Sequence, residues 1–311
     1  MLQRRHLLSL AAGSALSALH LPQAFAQTRR VGRLMAIGGA EDRQQDPIIL
    51  RRFVELCGGS TARILVMTTA SGVPDQSWAG YEPVFKGLGV ENCEHLDMRS
   101  AEEANTPEVV DHILSADGIF MSGGDQRRLM STMWETEAAR AMHIAFHARG
   151  CCIAGTSAGA AAMSRQMLAV GDTPALPQKE AVSLDIGLGF VSNAIIDQHF
   201  SQRRRLGRLL SAMAQRPDML GVGIDEDTAL LIERGQAIEV IGKGAVTLVD
   251  GRDMDSNFQE AEPEQRLEML DVKLHLLPNG HRYQLHPRKK TLPTALQSAV
   301  ELLVKPGPIR G

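Results

Sequence analysis

The chain has 311 residues and a formal charge of −3 at pH 7, with 44% hydrophobic and 22% charged residues. This composition is typical of a globular protein with a large core. The negative charge and the 4% aromatic content argue against a general polyanion binder or a single-strand nucleic-acid binder. The four cysteines show neither C-x-x-C spacing nor a nearby histidine pair, so we expect no zinc site and no cofactor.

The first 26 residues differ in composition from the rest of the chain. Arg4 and Arg5 precede an apolar run at 7–21, and the sequence Ala-Phe-Ala follows at 24–26. This order is typical of an export signal, here with twin-arginine character. The alternatives are an amphipathic first helix or a membrane anchor, but the run is shorter than the ~20 residues that a span needs. We therefore predict an export signal at 1–26, a single α/β domain at 27–311, and no stable membrane anchor after cleavage.

Apolar runs alternate with helix-like segments through the first half of the mature chain. This alternation, with glycine-rich loops at the strand ends, predicts a mostly parallel sheet with helices on both faces. Ligand chemistry in such sheets lies at the carboxyl ends of the strands. The predicted strands are 31–37, 63–69, 118–121 and 151–154, and the predicted helices are 48–56, 82–88, 107–114 and 132–149.

The second half of the chain predicts more antiparallel structure. We expect a strand ending at 195–200, an arginine-bearing helix from 201, a further strand at 221–230 and antiparallel strands at 237–249. A polar surface loop at 252–266 precedes a hairpin at 272–285, since Asn279-Gly280 accepts the positive φ of a tight turn. A closing helix is predicted at 292–304. The fold class is therefore α/β with a β-hairpin and antiparallel C-terminal extension.

A G-x-S-x-G pattern joins a predicted strand to a helix of small residues, and it reads Gly155-Thr156-Ser157-Ala158-Gly159. A nucleophilic serine on such a sharp turn needs small neighbours, because its backbone is strained and the helix packs close to the strand. The start of that helix directs backbone N–H groups toward the space in front of Ser157, where an oxyanion would form. The pattern predicts a serine nucleophile.

A serine hydroxyl needs a base within hydrogen-bond reach, and the base needs an orienting partner. His199 is the best base available, because it ends an apolar strand and lies among polar residues. For the partner we favour Glu226, which leaves a strand expected to neighbour the strand of His199. Asp172, Asp225 and Asp227 remain alternatives.

Two glycine pairs follow predicted strands, at 38–39 and at 123–124. Gly124 is expected to place its backbone N–H opposite that of Ala158, which would complete an oxyanion hole. The alternative is an ordinary turn.

Arginines at 203, 204, 205 and 208 form the other unusual feature of the sequence. A run of charges is usually a solvated face, but this run begins four residues after His199 and can reach the same pocket. Guanidinium groups bind carboxylates through paired N–H donors, which favours an acidic substrate.

Four motifs occur in order along the chain: Gly-Gly-Asp-Gln at 123–126, Gly-Thr-Ser-Ala-Gly-Ala at 155–160, Asp-Gln-His-Phe-Ser-Gln-Arg at 197–203 and Gly-Ile-Asp-Glu-Asp-Thr-Ala at 223–229. Together they closely resemble the cyanophycinases, which belong to the serine peptidase family that also contains the aspartyl dipeptidases. The resemblance covers essentially the whole mature chain. It implies a flavodoxin-like fold related to class I glutamine amidotransferases, with a serine in place of the cysteine nucleophile.

The implied substrate is cyanophycin, a polyaspartate with arginine on each side-chain carboxyl, which would be hydrolysed to β-Asp-Arg dipeptides. By the same resemblance Ser157 is the nucleophile, His199 the base and Glu226 its partner. The residues that would line the substrate pocket are Gln126, Asp197, Gln198, Arg203, Arg205 and Arg208.

Two alternatives stay open at this point: a dipeptidase for N-terminal aspartyl peptides, and an exported binding protein with a decayed site. Arg204 stands where relatives are expected to have a small residue, and the export signal departs from an intracellular reserve-mobilising enzyme. Export suits an organism that digests cyanophycin released by others, in the periplasm or outside the cell. The sequence leaves open whether the chain is a monomer or a homodimer, and whether its thiols are free or joined, for instance Cys57 to Cys93.

Overall fold

The computed structural model describes residues 31–286 and 291–305, and the predicted export signal lies outside them. The strands are β1 (Arg33–Ile37), β2 (Arg63–Met67), β3 (Asn92–Leu96), β4 (Gly118–Met121), β5 (Cys152–Thr156), β6 (Gln166–Gly171), β7 (Val182–Ile186), β8 (Ala194–Asp197), β9 (Leu220–Ile224), β10 (Thr228–Glu233), β11 (Ala237–Gly242), β12 (Ala245–Asp250), β13 (Asp255–Ser256), β14 (Met269–Leu270), β15 (Lys273–Pro278) and β16 (Arg282–Gln284). The helices are α1 (Ile48–Cys57), α2 (Pro74–Gly87), α3 (Ala101–Ala104), α4 (Pro107–Ser115), α5 (Gln126–Met133), α6 (Glu137–Ile144), α7 (Ala158–Ala161), α8 (Leu206–Gln215) and α9 (Thr294–Val304).

Five parallel strands form one half of the larger sheet, in the order β1-β5-β4-β2-β3. Side chains alternate in direction along a strand, and β1 shows this directly. Leu34 and Ala36 enter one core cluster, while Met35 and Ile37 enter the other. Strands β1, β2, β4 and β5 are buried on both faces and are therefore apolar over most of their length, whereas β3 lies at the edge of the sheet and is polar. The prediction of a mostly parallel sheet with helices on both faces is confirmed.

Helices α1 and α2 cover one face of this sheet, and aromatic rings fill the contact. Phe53 of α1 lies edge-on to Phe85 of α2 and to Phe120 of β4, with ring centroids 6.1 and 5.9 Å apart. Ile113, Leu129 and Met142, from α4, α5 and α6, pack against the opposite face.

Beyond β1 the larger sheet continues with antiparallel β10, β11 and β16, and a smaller sheet has the order β15-β12-β9-β8. The predicted hairpin at 272–285 is wrong, although Gly280 adopts the expected positive φ of 76°. Strand β15 pairs with β12 and strand β16 pairs with β11, so the turn carries the chain from one sheet to the other. The antiparallel C-terminal extension is present, but each of its strands extends an open edge of a different sheet.

Three predicted helices begin or end elsewhere than the sequence suggests. The helix expected at 82–88 is the last part of α2, which begins already at Pro74. The stretch 132–149 is interrupted at Glu135, whose φ is 54°, and α6 begins after Thr136, whose hydroxyl accepts a hydrogen bond from Ala139 N at 3.4 Å. The helix predicted from 201 begins only at Leu206, because Arg204 adopts a φ of 51°. Between α7 and β8 the chain forms an antiparallel ribbon of β6 and β7.

The loops after β1, β5 and β4 meet at one edge of the larger sheet, because these three strands are neighbours and run in parallel. This is the edge where the sequence places its glycine pairs and its serine turn. In the two described ranges, no helix combines the length and apolarity needed to cross a bilayer.

Candidate active site

Ser157 occupies the turn between β5 and α7 with a φ of 52° and a ψ of −111°. Such a conformation costs a non-glycine residue about 1–3 kcal/mol and persists only where its surroundings enforce it. The Ser157 N–H donates to Ile37 O at 3.0 Å, which ties the turn to β1. A Cβ on Gly155 would lie 2.5 Å from the carbonyl carbon of Gly159, so the close approach of helix to strand requires glycine.

Two consecutive hydrogen bonds link Ser157, His199 and Glu226 into a serine–histidine–glutamate triad, the Ser-His-Glu row. Ser157 Oγ lies 2.9 Å from His199 Nε2, and His199 Nδ1 lies 2.6 Å from Glu226 Oε1. Because a carboxylate only accepts, Nδ1 carries the proton and Nε2 is free to accept from the serine hydroxyl. His199 follows β8 and Glu226 follows β9, and these strands pair in parallel, as the sequence interpretation expects.

Burial lowers the pKa of His199 below its ordinary value of 6.5. Its bond to Glu226 opposes this shift, and the positive charge of Arg203 adds to it. The imidazole is therefore neutral at neutral pH, which is the form that can take a proton from Ser157.

The alternative acids each have another partner or position. Asp172 is exposed in the connection between β6 and β7. Asp225 accepts from the backbone N–H groups of Ser201 and Ala245, at 3.0 and 3.1 Å. Asp227 accepts from a backbone N–H at 2.9 Å and forms an ion pair with a lysine. Of the four candidates, Glu226 is the one that contacts His199.

Gly123 and Gly124 bring the main chain after β4 beside the serine turn. A Cβ on Gly123 would lie 3.4 Å from Ser157 Cβ. Gly124 has a φ of 147°, and a Cβ there would lie 2.0 Å from Ala70 O, so no other residue fits. Ala158 is the first residue of α7, and its N–H lacks a carbonyl partner within that helix by geometry. The two segments flank Ser157 from different strands.

Asp197, Arg205 and Arg208 form a buried ion cluster. Asp197 is fully buried; its Oδ2 accepts from Arg208 Nε at 3.0 Å, while its Oδ1 contacts Arg208 Nη2 and lies 3.4 Å from Arg205 Nη1. Both arginines are 7% exposed, and burial lowers the pKa of Arg205 to about 10, so its guanidinium stays charged at neutral pH. Asp197 lies too deep to hold a substrate guanidinium, so the expectation of direct contact is revised: its carboxylate binds Arg205 and Arg208 instead.

The other residues expected in the pocket differ in accessibility. Gln126 Nε2 donates to Leu168 O and Ala169 O at 3.1 and 2.9 Å, which ties α5 to β6. Gln198 Oε1 accepts from an arginine at 2.7 Å and is also buried. Arg203 is exposed close to His199, so it is the expected pocket cation that can reach a ligand directly.

Sequence interpretation missed two residues that do not belong to the Ser-His-Glu row but form hydrogen bonds with the segments that carry it. Glu41 is buried and accepts hydrogen bonds from Tyr81 and Thr156. Gln202 Oε1 accepts from the backbone N–H of Glu226 at 3.0 Å, which fixes the loop of the acid. A signal for Glu41 was available, since it lies two residues after the glycine pair that follows β1.

A cleft of about 650 Å³ is lined by Glu41–Gln45 and by residues of α2. Within the described part of the chain, His, Cys, Asp and Glu side chains form no group of three or more arranged to hold a metal ion.

Comparison with known proteins places this geometry in a family. Residues 34–240 match the model of Peptidase family S51. The chain is 37% identical over 256 residues to a cyanophycinase of Nostoc sp., covering 82% of this chain and 86% of the relative. It is 38% identical over 255 residues to a cyanophycinase of Synechococcus elongatus, covering 82% and 79%. A crystal structure of a peptidase from an acI-B1 Actinobacterium shares the fold, with a TM-score of 0.62 and 20% identity over 83% of this chain and 98% of that one. The chain therefore belongs to peptidase family S51 and is a serine-type peptidase.

Proposed function

We propose that this peptidase hydrolyses the aspartate backbone of cyanophycin to β-Asp-Arg dipeptides through an acyl-enzyme intermediate. The observation that carries the proposal is the row from Ser157 through His199 to Glu226, built on a strained serine turn. The identity to the named cyanophycinases supports the substrate.

In the acylation step, Ser157 Oγ attacks the carbonyl carbon of an α-peptide bond while His199 Nε2 takes the hydroxyl proton. Glu226 stabilises the imidazolium that forms, and the N–H groups of Gly124 and Ala158 donate to the oxyanion. The C–N bond then breaks, and the imidazolium gives its proton to the leaving amine. The carbonyl carbon remains bound to Ser157 as an ester.

Water completes the cycle. His199 takes a proton from the water molecule, and the resulting hydroxide attacks the ester carbon. The ester C–O bond breaks, the proton returns to Ser157 Oγ, and the acid product leaves.

The charges near the row fit an acidic, arginine-bearing substrate. Arg203 is exposed beside His199 and can hold a substrate carboxylate. Asp42 lines a cleft of about 650 Å³ beside the loop that follows β1, and its carboxylate can attract a substrate guanidinium group there.

Export is part of the proposal, and it rests on Arg4-Arg5, the apolar run at 7–21 and Ala24-Phe25-Ala26. N-terminal sequencing of the protein recovered outside the cytoplasm is expected to begin at Gln27. An active protein that still begins at Met1 would contradict the proposed export.

The testing experiment is product analysis by mass spectrometry after incubation with insoluble cyanophycin. The wild-type enzyme is expected to release β-Asp-Arg. Ser157→Ala is expected to release none, whereas the matched control Ser201→Ala, at an exposed serine two residues from His199, should act like the wild type.

Undiminished release by the Ser157→Ala variant would refute the nucleophile. Faster turnover of short Asp-X peptides than of the polymer would identify an aspartyl dipeptidase instead. Release of free arginine would show that the side-chain amide is cleaved in place of the backbone.

A further inference from the structure

The loop at 38–42, which follows β1, contacts two of the segments that carry the row. Gly38 O accepts from His199 N at 2.8 Å, and Gly39 O accepts from Asp227 N, next to the acid of the row, at 2.9 Å. A Cβ on Gly39 would lie 2.3 Å from Cε1 of the His199 ring, so the loop backbone lies directly against the imidazole. The loop therefore fixes the base and the segment of its partner relative to β1.

Glu41 extends this loop to the third segment. Its side chain is 5% exposed; Oε1 accepts from Tyr81 Oη at 2.5 Å and Oε2 accepts from Thr156 Oγ1 at 2.5 Å. Thr156 is the last residue of β5 and directly precedes Ser157. A buried carboxylate is thus hydrogen-bonded to the residue before the nucleophile.

The hydrogen bond between Glu41 and Thr156 lies next to the strained backbone of Ser157. Ser157 has a φ of 52°, and a residue in this region returns to a negative φ unless its neighbours are held. We infer that Glu41 is a positioning residue, which through Thr156 holds the backbone of Ser157 in its strained conformation. This inference rests on the proposed function, since it takes Ser157 as the nucleophile.

Tyr81 provides the matched control, because it binds the other oxygen of the same carboxylate from α2. The pKa of Tyr81 is raised by burial and by the charge of Glu41, so its hydroxyl remains a donor. Both bonds are 2.5 Å long and both are buried, yet only one leads to Ser157. A purely structural role of Glu41 would make the two bonds equivalent.

The experiment compares Thr156→Val, Tyr81→Phe, Glu41→Ala and Glu41→Gln in the full mature chain. It measures the rate of labelling of Ser157 by a fluorophosphonate, kcat and KM on cyanophycin, and the free energy of unfolding in urea. Thr156→Val and Glu41→Ala are expected to lower the labelling rate and kcat about 10- to 100-fold with KM nearly unchanged, because the nucleophile is misplaced. Glu41→Gln should recover most of the rate, since an amide can accept one of the two bonds and donate the other.

Tyr81→Phe is expected to lower the free energy of unfolding about as much as Thr156→Val while its labelling rate stays within about threefold of the wild type. Equal loss of rate in these two variants would overturn the inference. So would a displaced acid limb in the pH profile of Glu41→Gln, because Glu41 would then act on the charge of His199.

A crystal structure of the Thr156→Val variant gives a readout that needs no substrate and no label. The φ of Ser157 is expected to leave the positive region, and an unchanged φ would refute the positioning role. If the wild type labels at Ser157 but releases nothing from cyanophycin, the proposed substrate fails while the labelling and structural comparisons still decide the role of Glu41.

Discussion

Replacing Glu226 by glutamine tests most directly whether Glu226 orients His199 and fixes the tautomer of its ring. The carboxylate accepts from His199 Nδ1 at 2.6 Å and so keeps the proton on that nitrogen. A glutamine at this position can donate its amide N–H to Nδ1, and the ring proton then moves to Nε2. In that tautomer Nε2 no longer accepts from Ser157, so the base is lost although the geometry stays.

The expected size follows from the accessibility of the acid. A complete switch of tautomer in a Ser-His-acid triad lowers kcat by about 10⁴-fold, equal to about 5 kcal/mol. The Glu226 side chain is 34% exposed, so an amide can turn toward water and leave part of the imidazole in the active tautomer. We therefore expect a loss between about 10² and 10⁴ in kcat, with the free energy of unfolding nearly unchanged.

The assay is dipeptide release from cyanophycin as a function of pH, with Asp172→Asn as the control. Glu226 raises the pKa of His199, so its removal lowers that pKa further. The neutral imidazole then persists to lower pH, and the acid limb of the residual activity moves down. A loss smaller than about tenfold in Glu226→Gln, or a large loss in Asp172→Asn, would refute the reasoning.

Four further predictions concern the surroundings of the row. Because the charge of Arg203 lowers the pKa of His199, Arg203→Gln should move the acid limb of kcat/KM to higher pH, and an unmoved limb would contradict this. Gly39→Ala should abolish activity in a folded protein, since its Cβ would lie 2.3 Å from the imidazole; ordinary kcat with unchanged circular dichroism would argue otherwise. Asp197→Asn leaves two buried guanidinium groups without their counter-charge and should cost about 3–5 kcal/mol in urea unfolding, so a loss below about 1 kcal/mol would disprove the cluster. Burial raises the pKa of Cys93 to about 12, which leaves about one thiolate in 10⁴ at pH 8, so the native protein should react with a thiol reagent far more slowly than the unfolded one.

The central fold could be predicted because its strands carry a continuous apolar signal. Strands β1, β2, β4 and β5 are buried on both faces, and buried apolar runs are visible in a sequence. Strand β3 was missed because it lies at the edge of the sheet and reads Asn-Cys-Glu-His-Leu, with no apolar run. The turn after β15 was recognised from Asn279-Gly280, but the sequence of a turn does not show which sheet each flanking strand joins.

The site was predictable where chemistry demands one residue type at one spacing. The serine turn, the histidine at a strand end and the acid after the neighbouring strand all lie within hydrogen-bond reach of each other. The depth of Asp197 was not predictable, because a run of arginines is compatible with an exposed face and with a buried ion cluster. Both occur in the structure: Arg203 and Arg204 are exposed before the helix begins at Leu206, whereas Arg205 and Arg208 are buried around Asp197.

Both strained residues of the row lie next to a buried carboxylate that ties their segment down. Ser157, with a φ of 52°, follows Thr156, which is hydrogen-bonded to Glu41. His199, with a φ of 49°, lies two residues after Asp197 in a loop that the buried ion cluster closes. A carboxylate can accept several hydrogen bonds at once, so it can fix a backbone that would otherwise relax. The nucleophile and the base are therefore oriented by charges that need never touch the substrate, which leaves the exposed Arg203 to contact it.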